Sequence, residues 1–115
     1  MVDVKNLTQM TRYINTIARD GNMTLCYTKH CKEQMADRDI TTLDILYVLK
    51  TGHVEDYQGK GEQTTDYNIH RYKMIGNCIS RETGREIGVV LLVGIDERLA
   101  PTIKIKTIVT AMWQD

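Results

Sequence analysis

The stretch Ile40-Thr-Thr-Leu-Asp-Ile-Leu-Tyr-Val-Leu-Lys-Thr-Gly-His-Val54 decides the fold. Thr41 and Asp44 have the spacing of a capping box, in which the hydroxyl and the carboxylate each satisfy a backbone N–H that a helix start leaves unpaired. Ile40 before the cap and Ile45 after it are spaced as a hydrophobic staple. Leu43, Leu46, Val48 and Leu49 supply a core face, and Gly52 stands where a left-handed C-terminal cap belongs. The stretch therefore predicts a helix over Thr42 to Thr51. Beyond Gly52 the apolar residues stop recurring at helical spacing and begin to alternate.

Upstream, the pattern is helical. Val4, Leu7, Met10, Ile14 and Ile17 form one amphipathic stripe, with Asp3 as a candidate N-cap and Gly21 as the stop. Met23 to Tyr27 reads as an extended lead-in. A helix from Lys29 to Ala36 follows, capped by Thr28, with Cys31 and Met35 on its inner face and Asp37 to Asp39 ending it.

Downstream, the pattern is extended. His53 to Tyr57 reads as a short first strand and Gln58 to Thr65 as a loop. Tyr67 to Ile79, Ile87 to Ile95 and Ile103 to Met112 read as longer strands. Ser80 to Arg85 contains Gly84, and Asp96 to Pro101 holds the single proline, so both read as turns between antiparallel neighbours. The expected fold class is α+β, with the N-terminal helices on one face of an antiparallel sheet of about four strands.

Composition narrows the function classes. The chain has 115 residues, the size of one domain, and fifteen Lys and Arg balance fifteen Asp and Glu. That balance argues against a strongly basic nucleic-acid arm, a polybasic membrane anchor and an acidic disordered tail. The longest apolar run, Gly88 to Ile95, is strand-sized, and the opening Met1-Val-Asp-Val-Lys5 lacks the order of a secretory signal. The expectation is a soluble, cytoplasmic domain that uses no membrane and no cofactor. Cys26, Cys31 and Cys78 are odd in number and lack paired metal-ligand spacing, so they are expected to act as small buried hydrophobes, with no metal bound. Gly59-Lys-Gly61 lacks the remaining spacing of a phosphate loop, and no nucleophile elbow or zinc-protease motif occurs.

The chemistry-bearing residues are basic and lie on strands. Arg71 and Lys73 alternate with His70 and Tyr72. On the last strand Ile103, Ile105, Val109 and Ala111 alternate with Lys104, Lys106 and Thr110. One sheet face is then core. If Arg71 and Lys73 share the other with the two closing-strand lysines, four cations line it; the alternative is an ordinary solvated face. His30 follows the N-cap Thr28, where the helix dipole favours a neutral ring suited to a general base or to anion binding. The alternative is a surface or half-buried histidine with one backbone partner. Arg38 reads either as a helix C-terminal charge or as a phosphate ligand.

The run Thr28-Lys-His-Cys-Lys-Glu-Gln-Met-Ala-Asp-Arg-Asp-Ile-Thr41 resembles a small bacterial and phage family of unknown function. That family opens on S/T-x-H-A-x-x-R-M-x-x-R-x-I-[ST], closes a helix on Gly, and continues into three or four strands. The likeness extends to the apolar strand at Val89 to Val93 and the closing segment Ile105 to Thr110. It covers residues 24–112 as a core, with residues 1–21 as a helical extension of the same single domain. The family is grouped with the barnase, EndoU, colicin and RelE-like ribonuclease fold of toxin–antitoxin systems. The resemblance implies a metal-independent endoribonuclease working on the open sheet face, with RNA as substrate and an antitoxin or other protein as partner. A homodimer is a further partner expectation; the alternative function is an inactive member of the fold serving as an interaction module or regulator in a phage or mobile element. Carried over, His30 matches the helix histidine, Arg38 the arginine before the turn, and Thr107 or Thr110 the closing-strand threonine. The candidate catalytic set is His30, Arg38, Arg71 and Thr110, with Lys29, Lys73, Lys104 and Lys106 holding RNA. Gln34 and Cys31 stand where the pattern has arginine and alanine.

Overall fold

The computed structural model describes residues 3–21, 25–61, 68–79, 84–96 and 102–114. Three helices come first: α1 (Leu7–Asp20), α2 (Lys29–Arg38) and α3 (Thr42–Thr51). Four strands follow: β1 (His53–Lys60), β2 (Asn68–Asn77), β3 (Glu86–Asp96) and β4 (Thr102–Trp113). They form one antiparallel sheet in the order β1-β2-β3-β4. The fold is α+β, as the change of hydrophobic period at Gly52 implies. The expected Tyr67 strand start, residues 62–65 of the expected loop, the turn residues Ser80 to Thr83 and 97–101, and Met23 and Thr24 in the lead-in lie outside the described residues.

Helix starts are set by side-chain caps. Asn6 caps α1 by accepting from Gln9 N at 3.0 Å; Asp3, the expected cap, instead accepts from Lys5 N one turn earlier. Thr28 caps α2, which runs to Arg38 and ends on Asp39 in the left-handed region at φ 57°. The capping box of α3 is complete. Asp44 Oδ2 accepts from Thr41 N and from Thr41 Oγ1, both at 2.9 Å, and its Oδ1 accepts from Ile79 N at 3.1 Å. Those bonds explain a reversal in the burial of α3. Asp44 is buried with its carboxylate fully engaged, whereas Leu43, expected in the core, is 62% exposed. Asp44→Ala removes the cap and strands the Ile79 N–H, so it should cost about 2–3 kcal/mol in urea unfolding. A loss below about 0.5 kcal/mol would show that the carboxylate tie contributes little.

Gly52 does not take the expected left-handed cap. Its backbone is extended, at φ −81° and ψ −171°. A Cβ there would lie 2.6 Å from both the Ile75 and Val48 carbonyl oxygens, and Gly76 on β2 faces the same contact. Glycine is needed because the end of α3 lies directly on the β2 backbone.

The helices share one sheet face. Met10, Ile14 and Ala18 of α1, Cys31 and Met35 of α2, and Ile45, Val48 and Leu49 of α3 pack into one core. The strands contribute Val54, Tyr72, Met74, Ile87, Val89, Leu91, Val93, Ile95, Ile105, Ile108 and Ala111. The strand residues Tyr72 and His70 are paired within this layer. The Tyr72 hydroxyl donates to Val4 O at 2.6 Å, and buried His70 meets the Tyr57 hydroxyl through Nδ1 at 2.8 Å. Burial pushes the Tyr72 hydroxyl well above the usual phenol range, with Tyr57 and Asp3 adding to the shift. Cys31 and Cys78 are buried as expected, but Cys26 is exposed. No helix among the described residues is long and apolar enough to cross a membrane.

Two strands depart from the sequence pattern. β1 continues through Gln58 to Lys60, where a loop was expected, with irregularities between Val54 and Asp56 and between Tyr57 and Lys60. β4 carries register shifts opposite Val90/Leu91 and Leu92/Val93. These insert Val109 and Lys106 as extra residues, so Ile108 rather than Val109 enters the core.

Candidate nucleic-acid interface

Residues paired across antiparallel strands project from the same face, so the register assigns every rung. Arg71, Leu92 and Thr107 form one rung, and Lys73, Val90 and Thr110 the next. They are flanked by Ile69, Gly94 and Lys104 on one side and by Ile75, Gly88 and Met112 on the other. These rungs lie opposite the helices. The face is a low apolar strip along β3, bordered by cations on β2 and hydroxyls on β4, with Lys104 at one corner.

The bulges shape this face. Thr107 and Thr110 are three residues apart, and strict alternation would send them to opposite faces. The extra residue Val109 brings both to the open one. Lys106 is the extra residue of the second bulge and is half-buried, so alternation no longer ties it to Lys104.

The two β2 cations are held from β1. Arg71 Nε donates to Gln58 Oε1 at 3.0 Å, and Lys73 Nζ lies 3.6 Å from Glu55 Oε1. These contacts fix the long side chains over the sheet, and the guanidinium's remaining donors are not used in any bond among the described residues. Gly61 borders the strip, lying against Ile69 and Leu92.

Helix α2 lies along the outer edge of β4, and its own lead-in seals that edge. Ile108 N donates to Cys26 O at 2.7 Å and Thr28 N donates to Ile108 O at 3.1 Å, a parallel bridge centred on Tyr27. The Thr28 hydroxyl donates to Val109 O at 3.2 Å while accepting from Cys31 N at 3.0 Å. At the other end of the helix, Arg38 Nη1 donates to Ala111 O at 2.8 Å, and Trp113 Nε1 donates to Arg38 O at 2.8 Å. The Arg85 guanidinium stacks on the same indole, 3.9 Å from its ring centre.

These anchors sort the candidate residues. Arg71, Thr110, Lys73 and Lys104 share the open face. Arg38, read either as a helix C-terminal charge or as a phosphate ligand, is the basic residue of the last turn of α2 and donates to the backbone of the β4 edge, so its side chain clamps the helix to the sheet. His30 and Lys29 are exposed in the first turn of α2, off the Cys31–Met35 stripe. The His30 ring contacts Gln34, whose Nε2 lies 3.0 Å from the ring Nε2. That partner was missed, although the four-residue spacing of His30 and Gln34 on one helix is its visible signal. Glu55 and Gln58 were missed too, because a loop was expected at Gln58 and cross-strand pairing is needed to bring both beside β2. Burial raises the Tyr27 hydroxyl and the Cys31 thiol, with Cys31 adding to the shift at Tyr27. No cluster of three His, Cys, Asp or Glu side chains occurs among the described residues.

No curated protein and no solved structure matches the chain. The segment from the sealing bridge at Tyr27 to the indole at Trp113, residues 27–113, matches the domain of unknown function DUF4258, and the chain belongs to that family.

Proposed function

We propose that the chain is a metal-independent endoribonuclease of toxin type, with the open sheet face as its RNA platform and His30 as its base. One observation carries the reading: Arg71, Lys73, Lys104, Thr107 and Thr110 share the face that the helices leave uncovered. The resemblance of the α2 motif to a family of unknown function that is grouped with ribonuclease-toxin folds supports it. Among the motif's polar side chains, Thr28, Arg38 and Thr41 serve caps and clamps, whereas His30 is exposed and meets Gln34 alone.

In the proposed reaction His30 draws the proton from a ribose 2′-OH, and the 2′-oxygen attacks the adjacent phosphorus. Arg71 and Lys104 hold the non-bridging oxygens and stabilise the added negative charge, with the threonine hydroxyls as further donors. The P–O5′ bond breaks, a lysine ammonium protonates the departing oxygen, and a 2′,3′-cyclic phosphate remains.

A second reading is a protein-interaction module of the same fold, engaging an antitoxin or another partner. It is favoured by Lys73 and Arg71 already having partners in Glu55 and Gln58, and by zero formal net charge. Binding of a labelled single-stranded RNA separates the two. Three phosphate contacts imply about a 20-fold loss of affinity between 50 and 200 mM salt. Lys104→Ala should lower the salt slope by about 0.7 and weaken all sequences alike. No binding at low salt would leave the interaction module.

A further inference from the structure

Among the described residues, two buried side-chain polar atoms lack a hydrogen-bond partner, Tyr27 Oη and Gln34 Oε1. The second belongs to the amide whose nitrogen stands 3.0 Å from His30 Nε2. No other hydrogen bond or ion pair involves the His30 ring among the described residues. The charged groups beside it on α2, Lys29, Lys32 and Glu33, are all exposed.

An amide nitrogen only donates, so the neutral ring must accept at Nε2 and carry its proton on Nδ1. In water an unrestrained histidine keeps that proton mainly on Nε2, so the contact selects the less common tautomer. It also occupies the lone pair that a base would use. A protonated ring has a donor at both nitrogens and cannot accept from the amide. The contact then survives only if the amide turns by half a rotation, which gives Nε2–H to Oε1, the atom left without a partner. In that orientation the neutral ring presents the Nδ1 lone pair, and a proton taken from a 2′-OH adds at Nδ1 while Nε2–H stays on Oε1.

We infer that Gln34 is a positioning residue that sets which nitrogen of His30 carries the proton. The amide nitrogen faces the ring in the resting protein, and the amide oxygen faces it when His30 acts as a base. The activity part of this inference rests on the proposed ribonuclease reading; the tautomer part does not.

Nitrogen-15 shifts of the histidine rings, taken above the titration range and assigned with His30→Gln, report the tautomer directly. The parent should show His30 protonated on Nδ1. Gln34→Met, which keeps the side-chain length but neither donates nor accepts comparably, should return the Nε2–H pattern of a free ring. Gln34→Glu accepts only and should also give Nε2–H. Cleavage by Gln34→Glu should rise about fivefold, what one net hydrogen bond opposing the base is worth. The same tautomer in the parent and in both variants overturns the inference, and so does a loss of cleavage in Gln34→Glu. If Gln34→Met fails to fold, the parent and Gln34→Glu spectra decide alone. A tautomer change with no protein cutting RNA leaves Gln34 as the positioning residue and removes the ribonuclease reading.

Discussion

Replacing His30 by glutamine is expected to lower RNA cleavage by about 10²–10⁴-fold, the usual contribution of a positioned general base. The substitution removes the only imidazole on α2 and keeps a polar side chain of similar reach. His30 is exposed and lies off the stripe that Cys31 and Met35 bury, so folding should be unchanged. RNA affinity should be unchanged too, because a neutral ring adds little to the attraction of phosphate by Arg71 and Lys104. EDTA should have no effect on either protein. The measurement is cleavage of a labelled RNA in EDTA, beside growth arrest on expression. Equal cutting and equal arrest by parent and variant would remove His30 from the reaction. Arg71→Ala offers the complementary result, weaker binding and slower cleavage together, since Arg71 holds the phosphate in the ground state and stabilises the charge added in the transition state.

The second large effect is on stability. Gly52→Ala places a methyl group 2.6 Å from two backbone carbonyl oxygens, Ile75 O and Val48 O, neither of which can rotate away as a side chain would. The same residue donates its N–H to Val48 O at 2.7 Å, and its own carbonyl accepts from Asn15 Nδ2 at 3.2 Å. Relief therefore requires moving α3 off β2 and disturbing the clasp from α1. A loss of about 3 kcal/mol is expected, read as a lower urea midpoint at unchanged slope. A loss under about 1 kcal/mol would mean that the helix end shifts freely on the sheet.

Legibility in the sequence followed the range of the cause. The Thr41–Asp44 box and the Thr28 cap are local, and both elements begin where those residues dictate. The switch from helical to alternating spacing after Gly52 is local too, and it set the order of layers. Features that depend on a distant partner were not visible. Gly52 looks like a left-handed cap until Gly76 is placed opposite it. The β4 bulges leave no mark in a run that alternates well, so Val109 was expected inside and Ile108 was not. Arg38 could be read as a helix C-terminal charge or as a ligand, but not as a clamp, because its acceptor, the Ala111 carbonyl, is 73 residues away. The cations of the open face were readable as a set, since period-two alternation is all that Arg71 and Lys73 require. Their restraint by Gln58 and Glu55 was not.

The seal along β4 has a consequence for the order in which the molecule is assembled. α3 and the β1–β4 meander join neighbours in the chain and can form as the chain lengthens. α2 cannot be seated in that way, because its anchors reach 81 residues from Thr28 to Val109, 73 from Arg38 to Ala111 and 75 from Arg38 to Trp113. Contacts of such separation form late, since the entropy of closing the loop must be met before they are gained. During synthesis the helix emerges long before the strand that holds it. α2, and His30 with it, therefore has no fixed position on the sheet until β4 has been made and docked, and the proposed ribonuclease stays incomplete for most of its own translation.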